Sequence, residues 1–238
     1  MVQTIQLTAV DGTTFPVYVA QPQGKPKGAI VVLQEIFGVN AHIRAVTDGY
    51  AAAGYLAVAP ATFTRAQPVS AHPGGLGVEL GYTEADMKEG FGCKAAVEAL
   101  PAPGVLQDIQ ATIDYAAQAS GGKVGVVGYC WGGLLTWRAA CLLKGISAAV
   151  PYYGGGMTAP QEVARKPQCP MLCHFGEQDH AIPLDGVHAF AKAQSGVEVQ
   201  IYPAQHGFNC DHRAAFNADA AALARERTLA FFAKHLRA

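Results

Sequence analysis

A sharp corner between an apolar strand and a helix is the feature that most restricts how this chain can fold. The apolar run 124–127 leads into Gly128, Cys130 and Gly132, and residues of helical character follow. The two glycines suit a tight turn, because a Cβ atom at either position would strike a neighbouring strand or helix, whereas the side chain between them projects outward. Such a corner is a nucleophile elbow, here with a thiol where a hydroxyl is usual. The pattern predicts that Cys130 is presented for reaction.

The elbow alone leaves a second interpretation of Cys130 open, since a free cysteine is most often a small buried apolar residue. An acid and a base then follow in the chain order that this architecture uses. Asp179 and His206 each lie directly after a predicted strand. An imidazole exchanges a proton near neutral pH, and a carboxylate behind it fixes the tautomer and stabilises the imidazolium. We therefore interpret Cys130, His206 and Asp179 as a catalytic triad.

Strands and helices alternate along the 238 residues. Predicted strands cover residues 3–8, 14–20, 28–33, 55–59, 124–127, 147–153, 171–175 and 197–202, and predicted helices cover 41–53, 83–100, 105–119 and 217–235. This alternation predicts a mostly parallel sheet with helices on both faces. The length and the 50% hydrophobic content fit a single domain over residues 1–238. The Pro- and Gly-rich stretch 64–81 is expected to be a loop near the pocket.

Four polar side chains, those of Glu35, Cys130, Asp179 and His206, fall just past predicted strands. Sites in parallel sheets gather at the carboxyl ends of the strands, so we expect these four groups to meet at one edge. Glu35 is unusual because it ends an otherwise apolar strand. A buried acid needs a partner or a raised pKa, which favours a neighbour of the thiol that accepts its proton or restrains its ionisation. The alternative is an acid that points into solvent.

The charge balance argues against several classes of protein. The 17 Lys and Arg residues nearly balance 18 Asp and Glu residues, and no basic run occurs, so a nucleic-acid partner is not expected. The first seven residues lack the pattern of a secretory signal. No apolar stretch is long enough to cross a bilayer. We expect a soluble cytoplasmic protein.

Neither a metal nor a cofactor is expected. None of the six cysteines forms the Cys-x-x-Cys spacing typical of zinc sites, and a reducing cytosol is consistent with all of them staying free. His174, His180 and Asp179 are possible ligand types. However, His174 belongs to a predicted strand and His180 is adjacent to the proposed acid, so their side chains should diverge.

Several motifs in register resemble the dienelactone hydrolase, or carboxymethylenebutenolidase, family from about residue 28 to residue 236. The motifs that carry the resemblance are Gln34–Asn40, Gly128–Gly133, Tyr152–Gly154, Asp179–His180, His206–Phe208 and Glu226–Leu229. The resemblance implies an α/β-hydrolase fold without a large lid. It also implies an activity that opens enol-lactones in the breakdown of (chloro)aromatic compounds, with a small-molecule substrate.

The resemblance also implies a role for each matching residue. Cys130 is the nucleophile, His206 the base and Asp179 its orienting acid, while Glu35 accepts the thiol proton when substrate arrives. The resting enzyme then keeps much of its sulfur neutral and less prone to oxidation. The backbone N–H groups of Ile36 and Trp131 form the oxyanion hole, because they occupy the two usual sources in this fold.

The pocket departs from the family pattern. An arginine that binds the substrate carboxylate and pairs with the glutamate is expected four residues after the histidine, where this chain has Cys210. The segment Pro60–Phe63 replaces a frequent Pro-Asp-Leu-Tyr, and no second arginine is evident around residues 82–88. The candidate substrate-binding residues are Tyr82, Tyr153, Phe208 and Arg213, and the candidate cations for a carboxylate are Arg65, Lys88 and Arg213. The changes leave open a broader thiol esterase, or a ligand-binding or redox-sensing protein on the same scaffold.

Overall fold

One twisted sheet organises the computed structural model, which describes residues 1–67 and 75–236. The strands of these residues are β1 (Val2–Thr8), β2 (Thr14–Ala20), β3 (Ala29–Leu33), β4 (Leu56–Pro60), β5 (Val124–Tyr129), β6 (Ile146–Tyr152), β7 (Leu172–Gly176) and β8 (Glu198–Tyr202). Their order across the sheet is β1-β2-β4-β3-β5-β6-β7-β8. The pairs β1–β2 and β2–β4 are antiparallel. The remaining neighbours in the sheet, from β4 through β3 and β5 to β8, are parallel to one another.

Helices cover both faces of this sheet. The described helices are α1 (Ala41–Ala52), α2 (Glu84–Glu98), α3 (Leu106–Ser120), α4 (Trp131–Leu142), α5 (Pro160–Val163), α6 (Leu184–Ala193) and α7 (Ala218–His235), with a 3₁₀ helix at Thr62–Arg65. Helices α1 and α7 meet on one face, where Tyr50 packs against Phe232. Helices α3, α4 and α6 lie on the other, where Trp137 packs against Phe190. None of the described helices combines the length and apolar character needed to span a bilayer.

The predicted architecture is confirmed, and the reasons are local. Strands β3, β4 and β5 are buried at every residue, which explains why they read as continuous apolar runs instead of alternating ones. The first two strands form an antiparallel hairpin, with Thr8 opposite Thr14. Residues 153–171 between β6 and β7 contain only the four-residue helix α5, so no lid is inserted there. Of the expected loop 64–81, residues 68–74 lie outside the described residues.

Candidate active site

The corner between β5 and α4 places Cys130 in a conformation that few residues adopt. Its backbone has φ 56° and ψ −117°, a strained geometry that the surrounding packing must hold. A Cβ atom on Gly128 would overlap the carbonyl group of Gly132, and one on Gly132 would overlap the carbonyl groups at the end of β3. The Cys130 N–H donates to the Tyr152 carbonyl at 3.1 Å. The close packing of backbone on backbone is therefore the reason for the Gly-x-Cys-x-Gly sequence.

An imidazole and a carboxylate lie beside this thiol. His206 Nδ1 is 2.7 Å from Asp179 Oδ2, and the Asp179 side chain is fully buried. The other carboxylate oxygen accepts hydrogen bonds from the backbone N–H groups of Ala181 at 2.8 Å and Ile182 at 3.1 Å. Because these two donors hold the carboxylate, it fixes the ring orientation of His206 and leaves Nε2 as the nitrogen available for proton transfer.

The charge state of His206 is set by its two neighbours. Burial by itself lowers the pKa of the imidazole, but the charge of Cys130 and the hydrogen bond to Asp179 together raise it to about 10. A further hydrogen-bonding contribution from Cys130 acts in the same direction. The environment of His206 thus favours its protonated form, which places a positive charge beside the sulfur of Cys130.

The two residues expected to supply oxyanion donors line the cavity beside Cys130. Ile36 follows β3 and Trp131 begins α4, and both line the cavity that contains the thiol. The N–H of Trp131 is in the first turn of its helix, where N–H groups have no intrahelical acceptor. The loop that carries Ile36 is tightly fitted, because a Cβ atom on Gly38 would overlap the Val78 carbonyl and one on Gly90 would overlap the Ile36 carbonyl.

Glu35 lies behind this loop, fully buried. Neither of its carboxylate oxygens has a hydrogen-bond partner among the described residues, and the nearest cation there is Arg213, whose Nη1 is 3.7 Å from Oε1. Burial raises the pKa of the Glu35 carboxyl, while His42, Arg213 and His206 oppose that rise. The expected solvent-facing alternative is therefore wrong, and the carboxyl is a buried group whose neighbours decide whether it is ionised.

A cavity of about 360 Å³ opens over the thiol. It is lined by Ile36, Phe37, Met87, Phe91, Lys94, Cys130, Trp131, Gly155, Gly156, Ala181, His206 and Arg213. This volume and the mixture of apolar walls with a few polar groups are typical of small-molecule sites.

The predicted substrate-binding residues are placed unequally. Arg213 lines the cavity, whereas Tyr82, Tyr153 and Phe208 do not. The Tyr82 ring packs against Phe37, and its hydroxyl accepts a hydrogen bond from Asn40 at 3.1 Å. Tyr153 and Phe208 are fully buried and pack against each other. The ring of Tyr153 also packs against the ring of His206, so Tyr153 and Phe208 help to hold the loop that carries His206.

Two of the candidate cations do not line the cavity. Arg65 is paired with buried Asp108 at 2.6 Å and with Asp11 at 2.8 Å, so it stabilises the fold away from the thiol. Lys88 is exposed on α2 and is not among the residues that line the cavity. The expectation that Arg65 or Lys88 meets a substrate carboxylate is not supported by these positions.

Three of the cavity residues that the sequence did not indicate lie together on α2. Met87, Phe91 and Lys94 line the opening at helical spacings of three and four residues. Phe91 is 58% exposed, which is unusual for a phenylalanine and marks an apolar edge of the cavity. Lys94 Nζ is 2.7 Å from Glu98 and can reorient toward an anion. Their recurrence along one helix face is consistent with a helix, but it does not reveal that this face meets the thiol.

The alternative metal group around His174 is not assembled in the part of the chain that the structure describes. Both ring nitrogens of His174 are engaged, Nδ1 with the Tyr202 hydroxyl at 2.8 Å and Nε2 with the Thr228 hydroxyl at 2.9 Å. Burial lowers the pKa of this imidazole to about 3, and the charge of Arg227 adds to that effect. His174 is therefore a neutral core residue whose two nitrogens are both occupied.

Comparison with known proteins decides what kind of chain this is. A sequence model of the dienelactone hydrolase family matches residues 15–236. The chain belongs to the dienelactone hydrolase family. It is 33% identical over 240 residues to the carboxymethylenebutenolidase of Pseudomonas putida, which covers 98% of this chain and 97% of that protein. It is 35% identical over 237 residues to a candidate carboxymethylenebutenolidase of Synechocystis sp., which covers 92% of each.

A solved structure agrees with this assignment. The crystal structure of a candidate dienelactone hydrolase from Klebsiella pneumoniae matches with a TM-score of 0.78 at 29% identity, over 98% of this chain and 99% of that one. This dienelactone hydrolase family member therefore has the α/β-hydrolase fold and is a lactone or ester hydrolase. The expected resemblance is confirmed. A protein that only binds a ligand or senses redox state on this scaffold is not favoured by these relatives.

The positions that depart from the family pattern surround Glu35 and Trp131. Cys210 is fully buried, and burial raises the pKa of its thiol to about 11, with the charge of Glu35 contributing. Phe63 stacks on Trp131 with the ring centroids 5.1 Å apart. The chain thus has a neutral thiol where the resemblance leads us to expect a guanidinium, directly beside the buried carboxyl.

Proposed function

We propose that this member of the family opens a dienelactone or a related enol-lactone through a Cys130–His206–Asp179 triad and a thioester acyl-enzyme. The observation that carries the proposal is the pairing of His206 with buried Asp179 beside a thiol, at the base of one cavity. Aromatic-compound degradation, a cytoplasmic location and a single domain over residues 1–238 belong to the same proposal.

The chemistry proceeds in two stages. The Cys130 thiolate attacks the lactone carbonyl carbon, the ring C–O bond breaks, and the enolate leaves while the acyl group stays on sulfur. Water then attacks the thioester with His206 as general base, and the carboxylate product leaves as the thiol is restored. Asp179 holds the imidazole tautomer and stabilises its protonated form.

Glu35 and two backbone donors assist these stages. The buried Glu35 carboxylate accepts the thiol proton when substrate arrives, which is consistent with its lack of hydrogen-bond partners in the described part of the chain and with the upward direction of its pKa shift. The N–H groups of Ile36 and Trp131 bind the oxygen that becomes negative during attack. Losing one such donor typically raises the barrier by about 2.7–4 kcal/mol.

Substrate recognition uses the walls of the cavity. Arg213 is the cation nearest to Glu35 among the residues that line it, and Lys94 is a second cation at the opening. We assign the substrate carboxylate to Arg213, with Lys94 as an auxiliary contact. Met87 and Phe91 supply apolar surface for the ring. Tyr82, Tyr153 and Phe208 contribute indirectly by positioning Phe37 and His206.

A second candidate is a thiol esterase for lactones or esters that lack a carboxylate. Cys210 favours it, because a neutral thiol replaces the guanidinium that the family resemblance leads us to expect at this position. A single displaced cation does not reproduce bidentate recognition of a carboxylate. Comparison of a carboxylate-bearing enol-lactone with its neutral methyl ester on the purified protein distinguishes the two candidates.

The decisive experiment compares lactone hydrolysis by the wild-type protein with that of Cys130→Ala and His206→Ala. We expect kcat to fall by about 10³-fold or more in each, and the single substitution to cost nearly as much as the double. Cys169→Ala, at a partly buried cysteine outside the cavity, is the matched control and should retain activity. Mass spectrometry after an activated ester should find the acyl group on Cys130. Undiminished turnover in either triad variant would refute the mechanism.

A further inference from the structure

Three potential ligand groups meet behind the proposed oxyanion loop, outside the triad. Glu35, His42 and Cys210 each offer one ligand atom, and these atoms all lie within 4.8 Å of one another. All three residues are buried, with Glu35 and Cys210 at 0% and His42 at 3% exposure. They come from three separate parts of the fold, the end of β3, the first turn of α1 and the loop before α7.

This cluster contains buried hydrogen-bonding atoms that have no partner among the described residues. Among the described residues, neither carboxylate oxygen of Glu35 has a hydrogen-bond partner, and the same is true of His42 Nε2. Arg213 Nη1, at 3.7 Å from Glu35 Oε1, is beyond hydrogen-bonding distance. Buried polar groups in native proteins are almost always satisfied, so several such acceptors that face one another indicate a site for a positively charged partner.

We propose that Glu35, His42 and Cys210 bind one divalent transition-metal cation of the Zn²⁺ type. Imidazole, thiolate and carboxylate are the donors that Zn²⁺ prefers, and three protein ligands with a water molecule in the fourth position form a common tetrahedral arrangement. On binding, the Cys210 thiol gives its proton to solvent and the sulfur bonds to the metal. The cation neutralises Glu35 where the resemblance leads us to expect a guanidinium, and Glu35 can accept the thiol proton only while the metal is absent.

The outer contacts match those of a metal site. His42 Nδ1 is 3.1 Å from Asp211 Oδ1, so the carboxylate holds the other ring nitrogen and directs the lone pair of Nε2 inward. Carboxylate–histidine pairs of this kind orient metal-binding imidazoles. The Tyr82 hydroxyl accepts a hydrogen bond from Asn40 and lies near Cys210. His42 is therefore a ligand whose orientation is fixed by a second residue.

A second cavity reaches the His42 side of the site. His42 and Asp211 line a separate cavity of about 310 Å³ on the α1 side. Asp211 and His212 are exposed, with side-chain exposures of 63% and 48%, and their ligand atoms lie within 4.8 Å of His42. Of the three proposed ligands, His42 is the one that lines this cavity.

The test adds Zn²⁺ alone to chelator-treated, reduced protein and measures bound metal per chain after gel filtration. We expect one tightly bound ion in the wild-type protein, in Cys130→Ala and in the control Cys169→Ala. Affinity should fall at least tenfold in Cys210→Ser and His42→Gln, and 10- to 100-fold in Asp211→Asn. With Co²⁺, the wild-type protein should show a thiolate-to-cobalt charge-transfer absorption that is absent in Cys210→Ser.

These measurements do not depend on hydrolysis, so their outcome is independent of the proposed function. Circular dichroism identifies any of these three variants that fails to fold, and the remaining two then decide. Loss of the ion in Cys130→Ala together with its retention in Cys210→Ser would place the metal on the triad and overturn the proposal. Absence of stoichiometric binding to the wild-type protein, or binding that survives all three variants, would overturn it as well.

Discussion

His206 Nδ1 lies 2.7 Å from Asp179 Oδ2, and that carboxylate is held in turn by two backbone N–H groups. The imidazole therefore cannot turn its other face to the thiol without losing a buried, charge-assisted hydrogen bond. This relationship connects the end of β7 to the loop after β8, so the orientation of the base depends on two neighbouring strand ends of the sheet.

The first prediction concerns the pKa of His206. We expect the imidazole to titrate well above 6.5 in the wild-type protein, because the charge of Cys130 and the bond to Asp179 overcome the effect of burial. Cys130→Ala and Asp179→Asn should each lower the pKa, since each removes one of these contributions. NMR titration of the His206 ring measures it. A His206 pKa that is unchanged in both variants would contradict this account.

The same shift fixes how His206 affects stability as the pH changes. Its pKa is raised in the folded state, to about 10 from 6.5, so its contribution is complete below about pH 6.5 and is lost as the pH rises through about 10. The free energy of unfolding of the wild-type protein should therefore decline relative to that of Cys130→Ala between these values. Urea unfolding at pH 6, 8 and 10 measures the difference, and a wild-type advantage that grows with pH would have the wrong sign.

The second prediction tests the loop that carries Ile36. A Cβ atom on Gly90 would overlap the Ile36 carbonyl, and backbone cannot yield as a flexible side chain does. Gly90→Ala should therefore displace an oxyanion donor, lower kcat by about tenfold or more, and destabilise the protein by about 1–3 kcal/mol. Steady-state kinetics and chemical denaturation measure the two effects.

A matched control lies two residues away on the same helix. Gly92 is exposed, and a Cβ atom added to it would meet no neighbouring atom of the described residues within 4 Å. Gly92→Ala should stabilise the protein by about 0.5–1 kcal/mol, because alanine is the better helix former, and should leave kcat unchanged. Equal behaviour of the two alanine variants would show that the Gly90 contact does not position the loop.

The fold and the placement of the proposed triad could be predicted from the sequence because their causes are local. The glycines around Cys130 are required by backbone overlap, and the buried strands are marked by continuous apolar runs. The residues that line the cavity were harder to predict. Phe91 and Lys94 lie on α2, whose weak periodicity does not reveal which face meets the thiol, and Arg65 looked available only because its partners Asp11 and Asp108 are distant in sequence.

The approach of Glu35 to His42 and Cys210 was also hidden from sequence. His42 lies seven positions after Glu35 in the sequence. Cys210 joins them only because the loop before α7 folds over the edge of the sheet. The expectation of a conventional zinc spacing therefore could not reveal this group, because that spacing describes ligands on one hairpin or finger.

The third prediction concerns recognition of a substrate carboxylate. Arg213 lines the cavity, whereas Lys88 is an exposed cation outside it. Arg213→Ala should raise KM for a carboxylate-bearing lactone by about tenfold or more, because the variant loses a charge-assisted hydrogen bond to the substrate. The increase in KM should be smaller for the neutral methyl ester. Lys88→Ala is the control and should match the wild-type protein on both substrates. An equal loss on both substrates in Arg213→Ala would remove Arg213 from carboxylate recognition.

The fourth prediction concerns a buried hydroxyl that serves three partners. Thr228 Oγ1 lies 2.6 Å from the Tyr152 hydroxyl and 2.9 Å from His174 Nε2, and it donates to the Ala224 carbonyl at 2.8 Å. Thr228→Val keeps the side-chain volume but leaves the Tyr152 and His174 groups unsatisfied in the core. Each such group costs about 1–3 kcal/mol, so we expect a clear loss in the free energy of unfolding.

Thr228→Ser keeps the hydroxyl and removes one methyl, which should cost about 1 kcal/mol. Chemical denaturation ranks the three proteins, and a valine variant as stable as the serine variant would show that packing, not the hydroxyl, accounts for Thr228.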